Sequence, residues 1–501
     1  MMNLLNGLLH LLLVWISAQS LLFIIRNHSR TRARNLPPGP SFMTAIRNLF
    51  YLSSRPHKCL AQLANIYGPA MTIQLGYVTT VVVSSVSMAK EVLLRNDASC
   101  SYRNPLISFS VLGHNEATVA FLPPNSYWRN LRKICKSQIF AGSKLDATRG
   151  LRRKVVQQLL SHVQGCCEAG VPVKIGEAVF TTSLNYLSNA FFSMDSADRC
   201  ADTARELRKL VWGVAEVVGK PNFADYFPPI KFLDLQGIER RTTKLVGQAI
   251  RIIDAMITRR LQSREEVGYV EDDDVLGVLL NISQDNSGEL KRSHIPHLLL
   301  ELLVGGTDTT TVTVEWAMAE LLHRPKKLKK AQIELEEVVG KANPIEEDDI
   351  ARLPYLQAIV KETFRMHPPV PFLVPRKVIV DVELSGFVVP KNTQVLVNIW
   401  AIGRDESLWK NANVFEPERF MGSHIDIKGR DFELIPFGAG RRICPGLPAA
   451  HRMVHLTLGA LIHSFDWKLD KGITPESMSM VDKLGFTLRK AQFLQAVPIQ
   501  I

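Results

Sequence analysis

The chain has 501 residues, 46% of them hydrophobic and 22% charged, with a net charge of +12 and a pI of about 9.3. That length can bury a large core, and the composition excludes collagen-like, coiled-coil and disordered classes. The basic balance suits an acidic partner or an anionic membrane face, and no zinc-finger spacing or RNA-binding signature speaks for nucleic acid.

The first element is an uncharged run of 22 residues, Leu4 to Ile25, long enough to cross a bilayer as a helix. Arg26, Arg30, Arg32 and Arg34 follow it and assign that side to the cytosol. No Lys or Arg precedes Leu4, so a retained anchor fits better than a cleaved signal peptide. Next, "NLPPGP", Asn35 to Pro40, reads as a stiff spacer. The expected organisation is a transmembrane anchor over 1–25, a basic and proline-rich hinge over 26–40 and a catalytic domain over 41–501.

"AMTIQLGYVTTVVVSS" from Ala70 predicts a hairpin. "EDDD", Glu271 to Asp274, and "SQDNSG", Ser283 to Gly288, read as surface loops. Ser293 to His323 predicts one long helix, and "KKLKKAQIELEEVVG" and "LPYLQAIVKETFRMH" predict two more. "RKVIVDVELSGFVVPKNTQVLVNI" predicts two or three strands. The pattern is mainly α with a smaller β portion, without βαβ alternation or internal repeats. The seven cysteines include no CxxC, and Cys166 and Cys167 adjoin; this reads as a reduced, cytosol-facing chain, with a Cys59–Cys100 bridge left open.

Chemistry concentrates in "LIPFGAGRRICPGLP", Leu434 to Pro448. Helical periodicity follows it, and Pro445 suits a first helical position. Cys444 then sits at a helix N-terminus, where free N–H groups stabilise a thiolate. Gly438 and Gly440 allow the loop to approach a flat, bulky partner, and Arg442 can meet an acidic group on it. Taken alone, a cysteine that merely fills a helix start is an equally good reading.

Phe437, Gly438, Gly440, Arg442, Cys444 and Gly446 fit F-x-x-G-x-R-x-C-x-G, which resembles the haem-binding loop of the cytochrome P-450 monooxygenases. The resemblance implies the cytochrome P-450 fold, haem b (iron protoporphyrin IX) with Cys444 as axial iron ligand, O2, and NADPH through a reductase. It makes Asp308 and Thr309 the proton-delivery pair. Gly305 and Gly306 inside a helix each cost roughly 1 kcal/mol relative to alanine and need a reason. A Thr309 hydroxyl bonded to the Gly305 carbonyl is expected to widen the helix and leave a groove there. The resemblance also implies that Trp128, Arg132, Arg376 and Arg442 meet the haem propionates. Glu362 and Arg365, three apart on one helix face, read by themselves as a surface ion pair, and the resemblance implies that they are buried with Arg419 in a structural cluster. His451, His455 and His463 are set aside as rival iron ligands because no second-shell carboxylate accompanies them.

"KLDATRGLRRKVV", "PPVPFLVPRKV" and "VLVNIWAIGRDESLW" look like the plant microsomal branch that holds geraniol hydroxylases and ferruginol-type abietane diterpene oxidases. This implies a terpenoid substrate, an NADPH–cytochrome P-450 reductase partner and a single-pass endoplasmic reticulum location with the catalytic domain cytosolic. Expected pocket residues are Leu303, Val304, Gly305, Val370, Phe372, Leu373, Val374 and Phe486, with "NPLISFSVLGHNEA" after Arg103 as a lid. The alternatives are an oxygen-independent isomerase or dehydratase and a non-catalytic haem-binding membrane protein. Asp308 and Thr309 argue against both. Two positions depart from the plant pattern: Arg47 replaces a glycine and Val86 a common proline.

Overall fold

The computed structural model describes residues 35–40, 55–193, 201–268, 273–285, 288–470 and 472–500. The expected anchor, most of the hinge and Arg47 lie outside the described residues. Among the described residues no helix is long and apolar enough to cross a membrane.

The longer helices are α1 Pro56–Tyr67, α2 Ser126–Ile134, α3 Arg149–Ala169, α4 Ile175–Phe192, α5 Ala201–Val218 and α6 Ile238–Arg264. They continue with α7 Val275–Gln284, α8 Ile295–His323, α9 Pro325–Val339, α10 Pro354–Met366 and α11 Leu447–Ser464. The predicted long helix is α8; a 3-10 turn, Arg292–His294, replaces its first residues, and Pro296 sits in its first turn. It is apolar on all sides because α4, α5, α6, α10 and α11 pack around it.

α8 joins two cores. Its first half, with Leu298, Leu299 and Leu303, belongs to a cluster shared with α4 to α7. Its second half, with Val312, Trp316 and Leu321, belongs to one shared with α10 and α11. Between them Gly305, Gly306, Asp308 and Thr309 keep accessible surface, whereas the next stretch, 310–322, is buried throughout.

The predicted hairpin forms from β1 Ala70–Leu75 and β2 Val78–Val83, in register Ala70 to Val83. The segment after Arg376 holds β4 Arg376–Lys377, β5 Val382–Leu384, β6 Phe387–Val389 and β7 Gln394–Val397, four strands where two or three are predicted. They are two to four residues long, too short for alternation to separate them. β1, β2, β7 and β4 make a four-stranded sheet, with β2 and β7 parallel. β3 Val173–Lys174, β11 Gln495–Gln500 and β8 Phe465–Leu469 make a second sheet, and β9 Asp482–Leu484 pairs with β10 Leu488–Lys490.

Residues 35–40 dock on the sheets. Thr72 N donates to the Pro38 carbonyl (2.9 Å) and Val388 N to that of Asn35 (3.1 Å). Gly39 is required there, because a Cβ would lie 1.8 Å from the Thr72 carbonyl oxygen. Val86 starts a short helix capped by Ser85, whose hydroxyl accepts from Met88 N, so the missing proline leaves that start intact. The predicted "EDDD" surface loop is corrected at its last residue. Asp274 is buried, pairs with Arg260 (2.8 Å) and caps α7 through Gly277 N (2.8 Å). Among the described residues the cysteines are free, Cys59 and Cys100 included.

Candidate active site

Cys444 lies one turn before α11, its N–H bonded to the Phe437 carbonyl (2.9 Å). Burial pushes its thiol up; the N–H groups of Gly446 and Leu447 and the Arg132 cation pull the other way. The helix start therefore holds a sulfur that stabilises charge only where something offsets desolvation.

Gly440 has φ +68°, and a Cβ there would meet the Leu93 carbonyl oxygen at 2.3 Å; Gly438 has φ +74°. These glycines serve the turns of the loop and its close packing on residue 93. Phe437 packs edge-on against Phe364, at 5.3 Å between ring centroids.

Arg103, Glu301, Asp308 and Cys444 share one property. Each lies deep in the fold yet keeps accessible surface. Surface kept at such depth is what the wall of an internal cavity presents. The Gly305 Cβ position opens onto free space, with nothing within 4 Å, whereas a Cβ on Gly306 would lie 2.8 Å from Leu187 Cδ1. One glycine leaves room and the other lets α4 pack closely. The Thr309 hydroxyl does donate to the Gly305 carbonyl (2.7 Å). Thr307, Thr310, Thr311 and Thr313 make the same bond to their own turns and α8 stays regular, so the room comes from Gly305 and not from widening.

The arginines expected at one acidic partner divide. Arg442 commits its donors to the carbonyls of Ser101 (2.9 Å), Val119 (2.9 Å) and Leu122 (2.5 Å), over the Trp128 ring at 4.4 Å. Trp128 Nε1 also donates to Val119 (3.0 Å). Arg376 is bound by Asp97 (2.9 Å) and the Ala439 carbonyl (3.3 Å). The Arg132 side chain makes no hydrogen bond to the protein among the described residues, and its cation lies 5.9 Å from the Trp128 ring. Arg103, which the motif reading passes over, donates Nη1 to Ala120 (2.6 Å) and leaves Nε buried without a partner.

Burial, then Arg442 and Arg376, hold Arg103 well below the usual arginine range, and the Glu301 carboxylate counters them. Burial likewise takes Arg442 down to about 9 and Glu301 up to about 7. A buried cluster of guanidiniums with unspent donors calls for an anion, and an accessible thiol lies within electrostatic reach of Arg132 and Glu301. These residues fit a haem, whose propionates are anionic and whose iron takes a thiolate.

Glu362, Arg365 and Arg419 assemble as expected. Arg365 grips Glu362 with two bonds of 2.7 Å, Arg419 adds a third at 3.1 Å, and Glu362 is fully buried. Val370, Leu373, Val374 and Phe486 keep partial exposure, as pocket residues must, and Val304 is nearly sealed. One pocket expectation needs correction: Leu303 has no accessible surface and is core. Phe372 keeps partial exposure and packs on the cluster beside β1. His455 bonds the His451 carbonyl, and burial holds it at about 3.

The cytochrome P450 family model matches residues 37–494. Geraniol 8-hydroxylase of Catharanthus roseus is 50% identical over 469 residues, 93% of this chain and 94% of that protein. Drimenol monooxygenase of Persicaria hydropiper is 50% identical over 473 residues, 94% of each. Ferruginol synthase of Isodon rubescens is 44% identical over 470, covering 94% of this chain and 95% of its own. A solved zebrafish cytochrome P450 with progesterone shares the fold at a TM-score of 0.76 and 24% identity, over 88% of this chain and 99% of that one. With the thiol, the arginine cluster and the central helix placed as they are, the chain belongs to the cytochrome P450 family.

Proposed function

We propose that this haem-thiolate monooxygenase hydroxylates a terpenoid, of the class of a monoterpene alcohol such as geraniol or an abietane-type diterpene such as miltiradiene or ferruginol. The observation that carries the reading is the accessible Cys444 sulfur held deep in the fold at the start of α11, and the open position at Gly305 on α8 is read as the facing wall of its space. When bound, haem b supplies oxygen activation with electrons from NADPH through a reductase, and a thiolate ligand favours O–O cleavage.

Cys444 would hold the haem iron through its sulfur, its charge supported by the N–H groups of Gly446 and Leu447. Arg132 and Arg103 offer donors to the propionates, while Arg442 and Trp128 brace the 101–122 segment behind them. Thr309 holds a hydroxyl at the Gly305 turn and Asp308 a carboxyl beside it, a pair suited to moving protons. Val304, Val370, Leu373, Val374 and Phe486 exclude water and hold a hydrocarbon by shape. The hydroxylase and synthase names of the relatives support the terpenoid class.

The anchor over 1–25 places the enzyme on the endoplasmic reticulum membrane, facing the cytosol. Support comes from the exposed Phe223, Phe232 and Leu235. Their segment meets the β1–β2 turn, where Tyr77 N bonds the Tyr226 carbonyl (2.8 Å), and residues 35–40 run along β1. Microsomes holding the protein and a reductase should consume NADPH and oxidise geraniol or an abietane olefin or phenol. No substrate-dependent product from any terpenoid would sink the reading.

A further inference from the structure

Asp308 is fastened to a part of the chain with no motif of its own. Thr487 Oγ1 donates to Asp308 Oδ2 at 2.6 Å, and among the described residues this is the carboxylate's hydrogen-bond donor from the protein. Thr487 is 1% exposed and belongs to the turn between β9 and β10. The next residue back, Phe486, keeps partial exposure.

The turn is held on several sides. Gly485 N bonds the Thr487 carbonyl (2.9 Å), and Leu488 N bonds the Pro369 carbonyl (2.8 Å), next to Val370. Trp316 Nε1 on α8 donates to the Leu488 carbonyl (2.9 Å). At the end of α5, a Cβ on Gly219 would lie 1.9 Å from Phe486 N, so helix and turn touch backbone to backbone. The charged groups facing Asp308 are Arg489 on β10 and Glu315 on α8. Burial raises the Asp308 carboxyl, and the Thr487 hydroxyl and Arg489 oppose this.

We propose that Thr487 is a positioning residue for Asp308, tying the acid to the turn that carries Phe486. The inference rests on the reading of Asp308 as a proton-delivery group. A charged or neutral carboxyl has several rotamers, and one short bond from a rigid turn selects among them. A substrate seated against Phe486 fixes the turn, and through Thr487 it fixes the acid. Pocket filling and proton delivery are thereby linked by two adjacent residues.

The test compares Thr487→Val, Thr487→Ser, Asp308→Asn and the Thr487→Val/Asp308→Asn pair in the holoenzyme with reductase. Thr487→Val should keep the substrate-induced Soret shift, with Kd within about threefold of wild type. Product per NADPH should fall by about threefold or more, with peroxide rising to match. Thr487→Ser should recover the coupling, and Thr487→Val should add nothing to Asp308→Asn. Hydrogen exchange at 484–490 should quicken in Thr487→Val and not in Thr487→Ser. If Asp308→Asn uncouples while Thr487→Val stays coupled, the positioning role is overturned and the reading of Asp308 stands. If Asp308→Asn stays coupled, that reading fails and takes the inference with it. If Thr487→Val loses Soret shift and coupling together and serine rescues neither, Thr487 only packs, which also overturns the proposal.

Discussion

At the start of α11 one sulfur atom is held between burial, which favours the thiol, and two backbone N–H groups with Arg132, which favour the thiolate. An iron ion would decide that contest. Cys444→Ala should therefore abolish the thiolate-type spectrum of the reduced carbonyl complex, and an unchanged spectrum would remove Cys444 as ligand. Away from the cavity, Glu362 is fully buried and holds Arg365 and Arg419. Glu362→Gln leaves two guanidiniums short of their counter-charge and should cost about 3–5 kcal/mol, measured as a fall in thermal midpoint and in recovered holoenzyme. Residues of this kind were legible to different degrees. Cys444 and the Glu362 cluster sit in short local strings. Arg103 does not, because its meaning comes from Arg442 and Arg376, which lie more than three hundred and more than two hundred positions away respectively, at the closest (103 to 442 and 103 to 376). The motif leaves Arg442 free to meet an anion, yet its donors go to carbonyls of the 101–122 segment, which no spacing rule announces.

At the scale of the element, α8 carries two glycines that look alike in sequence and differ in the fold. Gly306→Ala sets a methyl 2.8 Å from Leu187 Cδ1 and forces α4 and α8 apart. Overpacking of this kind costs about 1–3 kcal/mol, against which helix propensity returns about 1 kcal/mol. Gly305→Ala meets nothing within 4 Å. It should leave the fold as stable as wild type, or more stable by about 1 kcal/mol. Its methyl enters the cavity instead, so substrate affinity or the position oxidised should change. Thermal midpoints and product analysis of the two variants separate these outcomes; equal destabilisation would refute the division of roles. α8, α9, α10 and the β1–β2 hairpin were legible because each keeps one period over many residues. The short strands after Arg376 were not, because two to four residues cannot establish a period. The Asp308–Thr487 bond was hidden for the same reason as Arg103, since it joins residues 179 apart.

Across the whole molecule, buried titratable groups pull stability in opposite directions over one pH range. Burial raises Glu315 to about 7, although the Leu494 N–H, Lys490 and Arg489 oppose it. A carboxyl whose folded pKa lies above its unfolded value of 4.5 binds extra proton in the fold. Its contribution is full below 4.5 and lost as pH rises toward 7. His114 and His297, with facing Nδ1 atoms 3.0 Å apart, do the reverse. Burial lowers them to about 3 and about 4 from 6.5, so the unfolded chain binds more protons in that interval and stability rises with pH. The pair ties the 111–116 turn to the first turn of α8, so its loss on acidification loosens that turn first. Between pH 5 and 6.5 the two effects oppose each other in wild type. Glu315→Gln removes one source of the fall, with Glu301 left in place, and should steepen the rise of the unfolding midpoint with pH. His114→Gln with His297→Gln removes two sources of the rise, with His455 left in place, and should flatten it. Both variants lower stability overall through lost bonds, so the slope and not the midpoint is the measurement. Slopes parallel to wild type in both would show that these buried groups keep ordinary proton affinities in the fold.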